Sequence, residues 1–535
     1  MAVSLDEYGQ QRVVFDSTGA IDDAEHFAYR VTGSWEDSET FRDFYQLDRD
    51  FISTSLSWFG DNGGHININY EYSKEKRSMD RGFITALGAD GKRSIVEVDR
   101  SVNYGVDFSF NVVNSNLIEI DTITPIINRN WDIETKLFYN AEQADDVRSE
   151  VIAVLADGSL ARRVQGNDDR QLNTFFARLQ TRGEFNFTFP IQLVAGAEYH
   201  QQKEKWINFA GNNQIGGTAT NPYSYTLIND SATATRDHRD VTNKSYGIFS
   251  QLDITPIEDV TVTLGLREEF YSAEFEKVVL NSGVTTSADT PKDSKFTKSA
   301  GVVWKIIPEL SLYSSYADTF SAQNIYTGDQ TTAVLPPQEG RQYEAGAKWS
   351  TLDDRLLLTA AYFDIKQNNN VETVNGEPEL SGGIDTNGLE FSLAANPIKG
   401  WNIRAAVGLL QAEIVSETST NGNRPTNVPK KTASLWTSYE FQGSDTLLKG
   451  FGISTGLSHV ANRYGDTNNS FELGDYTLLD AGIWYYLPPI GGSSIRLDLG
   501  VKNITDEKYY TASGGTYRIS VGAPRTFFSG IRVDF

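Results

Sequence analysis

Apolar and polar residues alternate with a period of two in segment after segment of this chain. His65–Tyr72 sets Ile66, Ile68, Tyr70 and Tyr72 on one face against Asn67, Asn69 and Glu71 on the other. Trp131–Tyr139 does the same with Trp131, Ile133, Thr135, Leu137 and Tyr139 opposite Asp132, Glu134 and Lys136. The pattern recurs in Ser101–Val113 (Val102, Tyr104, Val106, Phe108, Phe110 and Val112), Arg341–Trp349, Trp401–Leu409, Thr432–Phe441 and Ile495–Val501. Period two is the strand period, and a whole chain of such segments predicts an all-β fold.

The end of the chain says what surrounds those strands. Phe527, Ser529, Ile531, Val533 and Phe535 share one face, and Gly530, Arg532 and Asp534 fall on the other. An apolar face beside a charged face, ending on an aromatic residue, suits lipid outside and water inside a barrel. Phe527, Ile531, Val533 and Phe535 are therefore the candidate membrane-assembly signal, to be met by a barrel-assembly machinery.

The connections alternate in length. Short ones include Asp61-Asn62-Gly63-Gly64, Pro256-Ile257-Glu258-Asp259, Leu352-Asp353-Asp354-Arg355 and Pro397-Ile398-Lys399-Gly400. Long polar stretches lie at 76–100, 143–170, 207–244, 276–297, 320–340 and 415–430. Short periplasmic turns on one rim and long extracellular loops on the other are the outer-membrane arrangement, and the count comes to about 22 strands. Residues 113–130 break the pattern, since they read as an overlong connection on the short side. The prediction is an all-β transmembrane antiparallel β-barrel occupying residues 1–535, a monomer in a bacterial outer membrane.

Composition changes that picture little. The 25 Tyr, 29 Phe, 9 Trp and 45 Gly among 535 residues suit a barrel with aromatic girdles. The absence of Cys excludes disulfides and thiolate metal sites. A formal charge of -24 argues against a nucleic-acid partner. The five histidines are not at metal-ligand spacing, and neither a phosphate loop nor a nucleophile motif is found, so no catalysis and no resident cofactor are expected.

Several segments together resemble the TonB-dependent receptors, and within them the ferric-siderophore branch that includes hydroxamate (ferrichrome-like) receptors. They are Phe41-Arg42-Asp43-Phe44, Arg49-Asp50-Phe51-Ile52, Tyr70-Glu71-Tyr72 and Asp80-Arg81-Gly82 near the front. Leu310 to Phe320, Pro337 to Gly346 and Arg424 to Pro429 continue the series, followed by Val501 to Tyr510 and Gly522 to Thr526. The order matches the family order over nearly the whole chain.

The resemblance implies a translocation barrel for iron uptake, with lipid, a ferric siderophore and, in the intact receptor, a plug domain and TonB as partners. Iron enters only as cargo. The strand pattern starts almost at Met1, and Met1 to Glu7 has neither a basic start nor an apolar run. The expectation is a barrel whose N-terminal plug and signal peptide are absent from this chain, which would leave an open pore. A passive pore, natural or made by deleting the plug, is the alternative reading. Others are a docking surface for phage or toxin, and a receptor for cobalamin, haem or a glycan.

Family ligands are gripped by aromatics on the upper inner wall and loops, because rigid flat rings give contact area at little entropy cost. On that basis Phe83, Trp206, Tyr326 and Tyr517 are candidate ligand contacts. Arg81 is a candidate donor to carbonyl or hydroxamate oxygens.

Overall fold

The computed structural model describes the chain except for residues 127–129, 187, 290–292, 322–325, 328–331, 334–335, 375–376, 417 and 444–447. Among the described residues the main sheet holds 24 strands, all paired antiparallel. Two of them, Gln214–Thr218 and Val284–Asp289, pair only with the outer ends of their neighbours. The other 22 close on themselves. Ala2–Asp6 pairs with Gln11–Ala20 on one side and with the last strand, Thr526–Asp534, on the other, in the register Val3↔Ile531. The Met1 amine donates to the Val533 carbonyl at 2.8 Å, so both ends of the chain lie at the rim of short turns. No described helix is long and apolar enough to cross a membrane; the strands do the crossing.

Register fixes which side chains see lipid. Ile68 lies across from Ile120, and Ile120 from Leu137; Tyr70 lies across from Ile118, and Ile118 from Tyr139. Ile68, Tyr70, Ile118, Leu137 and Tyr139 are exposed large residues, as expected of a wall that faces acyl chains. The intervening residues point into the lumen and pair with one another. Lys136 Nζ sits 2.7 Å from Glu119 and 3.5 Å from Asp121. Arg49 sits 2.5 Å from Glu75 and 3.9 Å from Glu36. The predicted outward face of the last strand is as expected, with Phe527, Ile531 and Phe535 exposed.

Three expectations are corrected. The supposed long connection at 113–130 is largely a transmembrane strand, Phe110–Ile126, which pairs along its length with His65–Arg77 and Trp131–Val154. The alternating residues before Phe110 are loop instead: Val102, Tyr104 and Phe108 pack into closed apolar clusters above the membrane. The stretch 143–170 is likewise not a loop. It forms the outer halves of Trp131–Val154 and Ser159–Asn186, joined by a turn at 155–158. Crossing the hydrocarbon takes about ten tilted residues, so strands of 24 and 28 residues continue well beyond it. Above the lipid both faces can be polar, and the alternation disappears while backbone pairing goes on.

Candidate functional site

The outer loops share one core. Phe83, Ile84, Val96 and Tyr104 from the loop after His65–Arg77 pack with Val151, Leu160, Phe471, Leu473 and Ile519. Phe83 and Ile519 form an antiparallel bridge. Polar ties hold the same loops. Arg42 makes a two-point ion pair with Asp80, at 2.7 and 3.1 Å, and donates to the Arg100 carbonyl. Asn427 and Ser513 exchange two hydrogen bonds. Buried Glu150 collects three guanidiniums, from Arg81, Arg148 and Arg518. Burial alone would push its carboxyl pKa up, but the three arginines outweigh it and hold the group below the usual glutamate range.

Elsewhere the inner wall opens into a crevice of about 550 Å³, within the range of small-ligand sites. Its floor comes from neighbouring strands that bring His200, Asn243, Arg267 and Tyr271 together on the lumen side. Its roof is the outer end of Leu310–Ser321. Pairing between Asp293–Ile307 and Leu310–Ser321 stops at Ser299↔Ala317. Each strand stays paired with its other neighbour further out, to Tyr271↔Asp293 and Ser321↔Gln338. The two ends part, and Phe320 reaches the Tyr271 ring with centroids 5.3 Å apart. Lys295 spans the gap to Glu339 at 2.5 Å. The Tyr271 hydroxyl donates to Asp293 at 3.1 Å.

The crevice therefore combines two aromatic rings with ring-nitrogen and hydroxyl groups. Its cations are already engaged: Arg267 is held by Glu198 at 2.7 Å and by Glu269, and Lys244 by Glu274 at 3.2 Å. Such a site can grip a bulky, hydrogen-bonding solute by ring contact, and it offers a polyanion little uncompensated positive charge.

The residues singled out from sequence fall in different places. Trp206 is on the inner wall just above the crevice. It packs on Val241, Ala273 and Phe275, and Ala273 also lines the crevice. Phe83 is corrected: its ring is fully buried among Tyr104, Tyr510 and the Arg42 guanidinium and cannot meet a solute in the lumen. Tyr517 packs half-buried against the same core. The guanidinium of Arg81 is taken up by Glu150. The backbone of Tyr326 pairs with Ala333, and its side chain lies outside the described residues. His200, Arg267, Tyr271 and Phe320 were missed. Each looks like any other strand residue until the wall closes.

The sequence profile described as TonB dependent receptor-like, beta-barrel matches residues 34–504. The chain is 25% identical to the metal-pseudopaline receptor CntO of Pseudomonas aeruginosa, over 99% of this chain and 74% of that protein. It is 25% identical to the ferrichrome outer membrane transporter/phage receptor of Escherichia coli, over 96% of this chain and 70% of that one. The crystal structure of the siderophore receptor PiuA from Acinetobacter baumannii has a similar fold, with a TM-score of 0.87 at 22% identity, covering 99% of this chain and 80% of that chain.

Proposed function

The chain belongs to the TonB-dependent receptor family as its outer-membrane β-barrel, and from that membership we propose that it takes up iron as a ferric siderophore held first in the inner-wall crevice. The observation that carries the reading is the Tyr271–Phe320 ring pair, which joins floor and roof of a crevice of ligand size on the lumen side. Relatives that cover most of the chain are receptors for ferrichrome, ferrioxamine and a metal-pseudopaline complex, which supports this cargo class.

Uptake draws on TonB, as in the family. A 22-stranded barrel is wider than its own side chains can fill. Exposed Trp436 and Arg404, directly opposite each other in register and aimed into the lumen, suit contact with a plug domain. The chemistry is binding and passage, with no bond made or broken.

Equilibrium binding of a neutral ferric trihydroxamate to the purified protein, followed by fluorescence quenching, tests the reading. Tyr271→Ala and Phe320→Ala should each weaken binding by about tenfold, the cost of losing one aromatic anchor. A trianionic ferric tris-catecholate should bind more weakly than the neutral complex. Unchanged affinity in both variants would move the site elsewhere, and no binding of either complex would refute the cargo.

A further inference from the structure

Arg162, near the outer end of Ser159–Asn186, has 2% of its surface exposed. Its hydrogen bond runs to the Pro222 carbonyl at 3.2 Å, and its Nε has no hydrogen-bond partner among the described residues. Burial disfavours its charge, and the groups that support the charge are the hydroxyls of Tyr104 and Tyr223; no carboxylate is among them. Buried Arg42 and half-buried Arg81 have carboxylates, Asp80 and Glu150, whereas buried Arg463 donates to the Tyr510 and Thr511 carbonyls and lies over the Tyr476 ring. A guanidinium keeps its proton at every pH the protein survives. An unpaired charge in apolar surroundings is strongly unfavourable, so a counter-charge is called for.

A second buried polar side chain lies on the same face of the strand pair. Ser149 is 1% exposed, and its Oγ has no hydrogen-bond partner among the described residues. Arg162 lies across from Val151, and Val164 from Ser149, so Arg162 and Ser149 are diagonal neighbours on one face of the strand pair. Diagonal positions stand about 7–8 Å apart, within reach of an arginine side chain. Around them are Leu160, Val164 and Tyr104, all buried. A water molecule would satisfy the hydroxyl and Nε but leave the charge uncompensated.

We propose that Arg162 and Ser149 hold a small monovalent anion of halide size, which fastens the loop carrying Pro222 and the loop carrying Tyr104 to the barrel strand beneath them. Packing by fully buried Leu160 and Val164 favours a compact ion over a phosphate ester. Both loops bear on this spot: Pro222 accepts from Arg162, and the Tyr104 hydroxyl donates to the Ala219 carbonyl.

The test is hydrogen exchange of residues 101–109 and 215–224 in the purified full chain, titrated with bromide against gluconate at constant ionic strength. Protection should rise several-fold and saturate in the wild type. It should lose its bromide dependence in Arg162→Leu, and need several-fold more bromide in Ser149→Ala. Bromide-soaked crystals should show an anomalous peak between the two side chains. A wild type indifferent to bromide, an equal response in Arg162→Leu, or a crystal with water at that position would overturn the proposal. Should Arg162→Leu fail to fold, Ser149→Ala and the wild-type crystal decide it.

Discussion

Phe83 and Ile519, from opposite ends of the chain, exchange both backbone hydrogen bonds: Phe83 N–H donates to Ile519 O at 2.7 Å, and Ile519 N–H to Phe83 O at 2.9 Å. This bridge joins the first long outer loop to the last and sits inside the apolar core that both loops build. The residue before it makes the approach possible. Gly82 has φ +75, and a Cβ there would stand 2.0 Å from the Ile519 carbonyl oxygen.

Gly82→Ala should therefore part the two loops without harming the barrel. The strain of a left-handed backbone alone is about 1–3 kcal/mol, and the steric clash adds to it. Hydrogen exchange at 83–96 and 510–521 should quicken at least tenfold while the strands keep their protection. Unchanged exchange in those loops would show that the bridge is not what holds them.

Acid should loosen the same loops through Glu150. Its pKa is depressed in the folded protein, so it contributes stability that is full above the ordinary glutamate range and is lost as pH falls through the lowered value. Glu150→Ala should remove that acid-sensitive part. It should also cost about 1–3 kcal/mol, because half-buried Arg81 loses its carboxylate while Arg148 keeps Asp146. Loop exchange measured from pH 7 to pH 3 gives the answer, and a variant as acid-sensitive as the wild type would refute the assignment.

The strand Phe110–Ile126 makes a sharp test of register. Ile120→Arg places a cation in lipid and should cost about 2–4 kcal/mol. Glu119→Gln, one residue away on the lumen side, trims one of two acidic contacts to Lys136 and should cost less than about 1 kcal/mol. Urea unfolding of the barrel in liposomes should separate the two. Equal costs would mean that this stretch does not cross the membrane as described.

Phe535 is 93% exposed at the end of the closing strand and adds no core packing. Its deletion should leave the stability of the folded barrel within about 1 kcal/mol, as for a surface change, yet lower the assembled fraction in cells several-fold. The heat-modifiable band on gels reports assembly. Normal assembly without Phe535 would remove it from the assembly signal.

Much of this architecture is set by local alternation. Ile66, Ile68, Tyr70 and Tyr72 declare their lipid face in the sequence, as do Phe527, Ile531 and Val533, because a strand between two media must sort its side chains by twos. That rule has a blind spot. Val102, Tyr104 and Phe108 alternate just as well, yet they sit in loop cores, since lipid and a protein interior select the same apolar side chains. Only pairing partners distinguish the two, and these moved the strand to Phe110–Ile126. The crevice was beyond any local signal. His200, Arg267, Tyr271 and Phe320 become neighbours because consecutive strands align in register and one pair parts at Ser299↔Ala317. Sequence by itself determined the all-β barrel, its lipid face and its family likeness, all of which rest on short-range periodicity and motif order. Tertiary structure alone decided which outer loops pack together, which arginines find a carboxylate and where a solute could rest, because those depend on contacts between residues far apart in the chain.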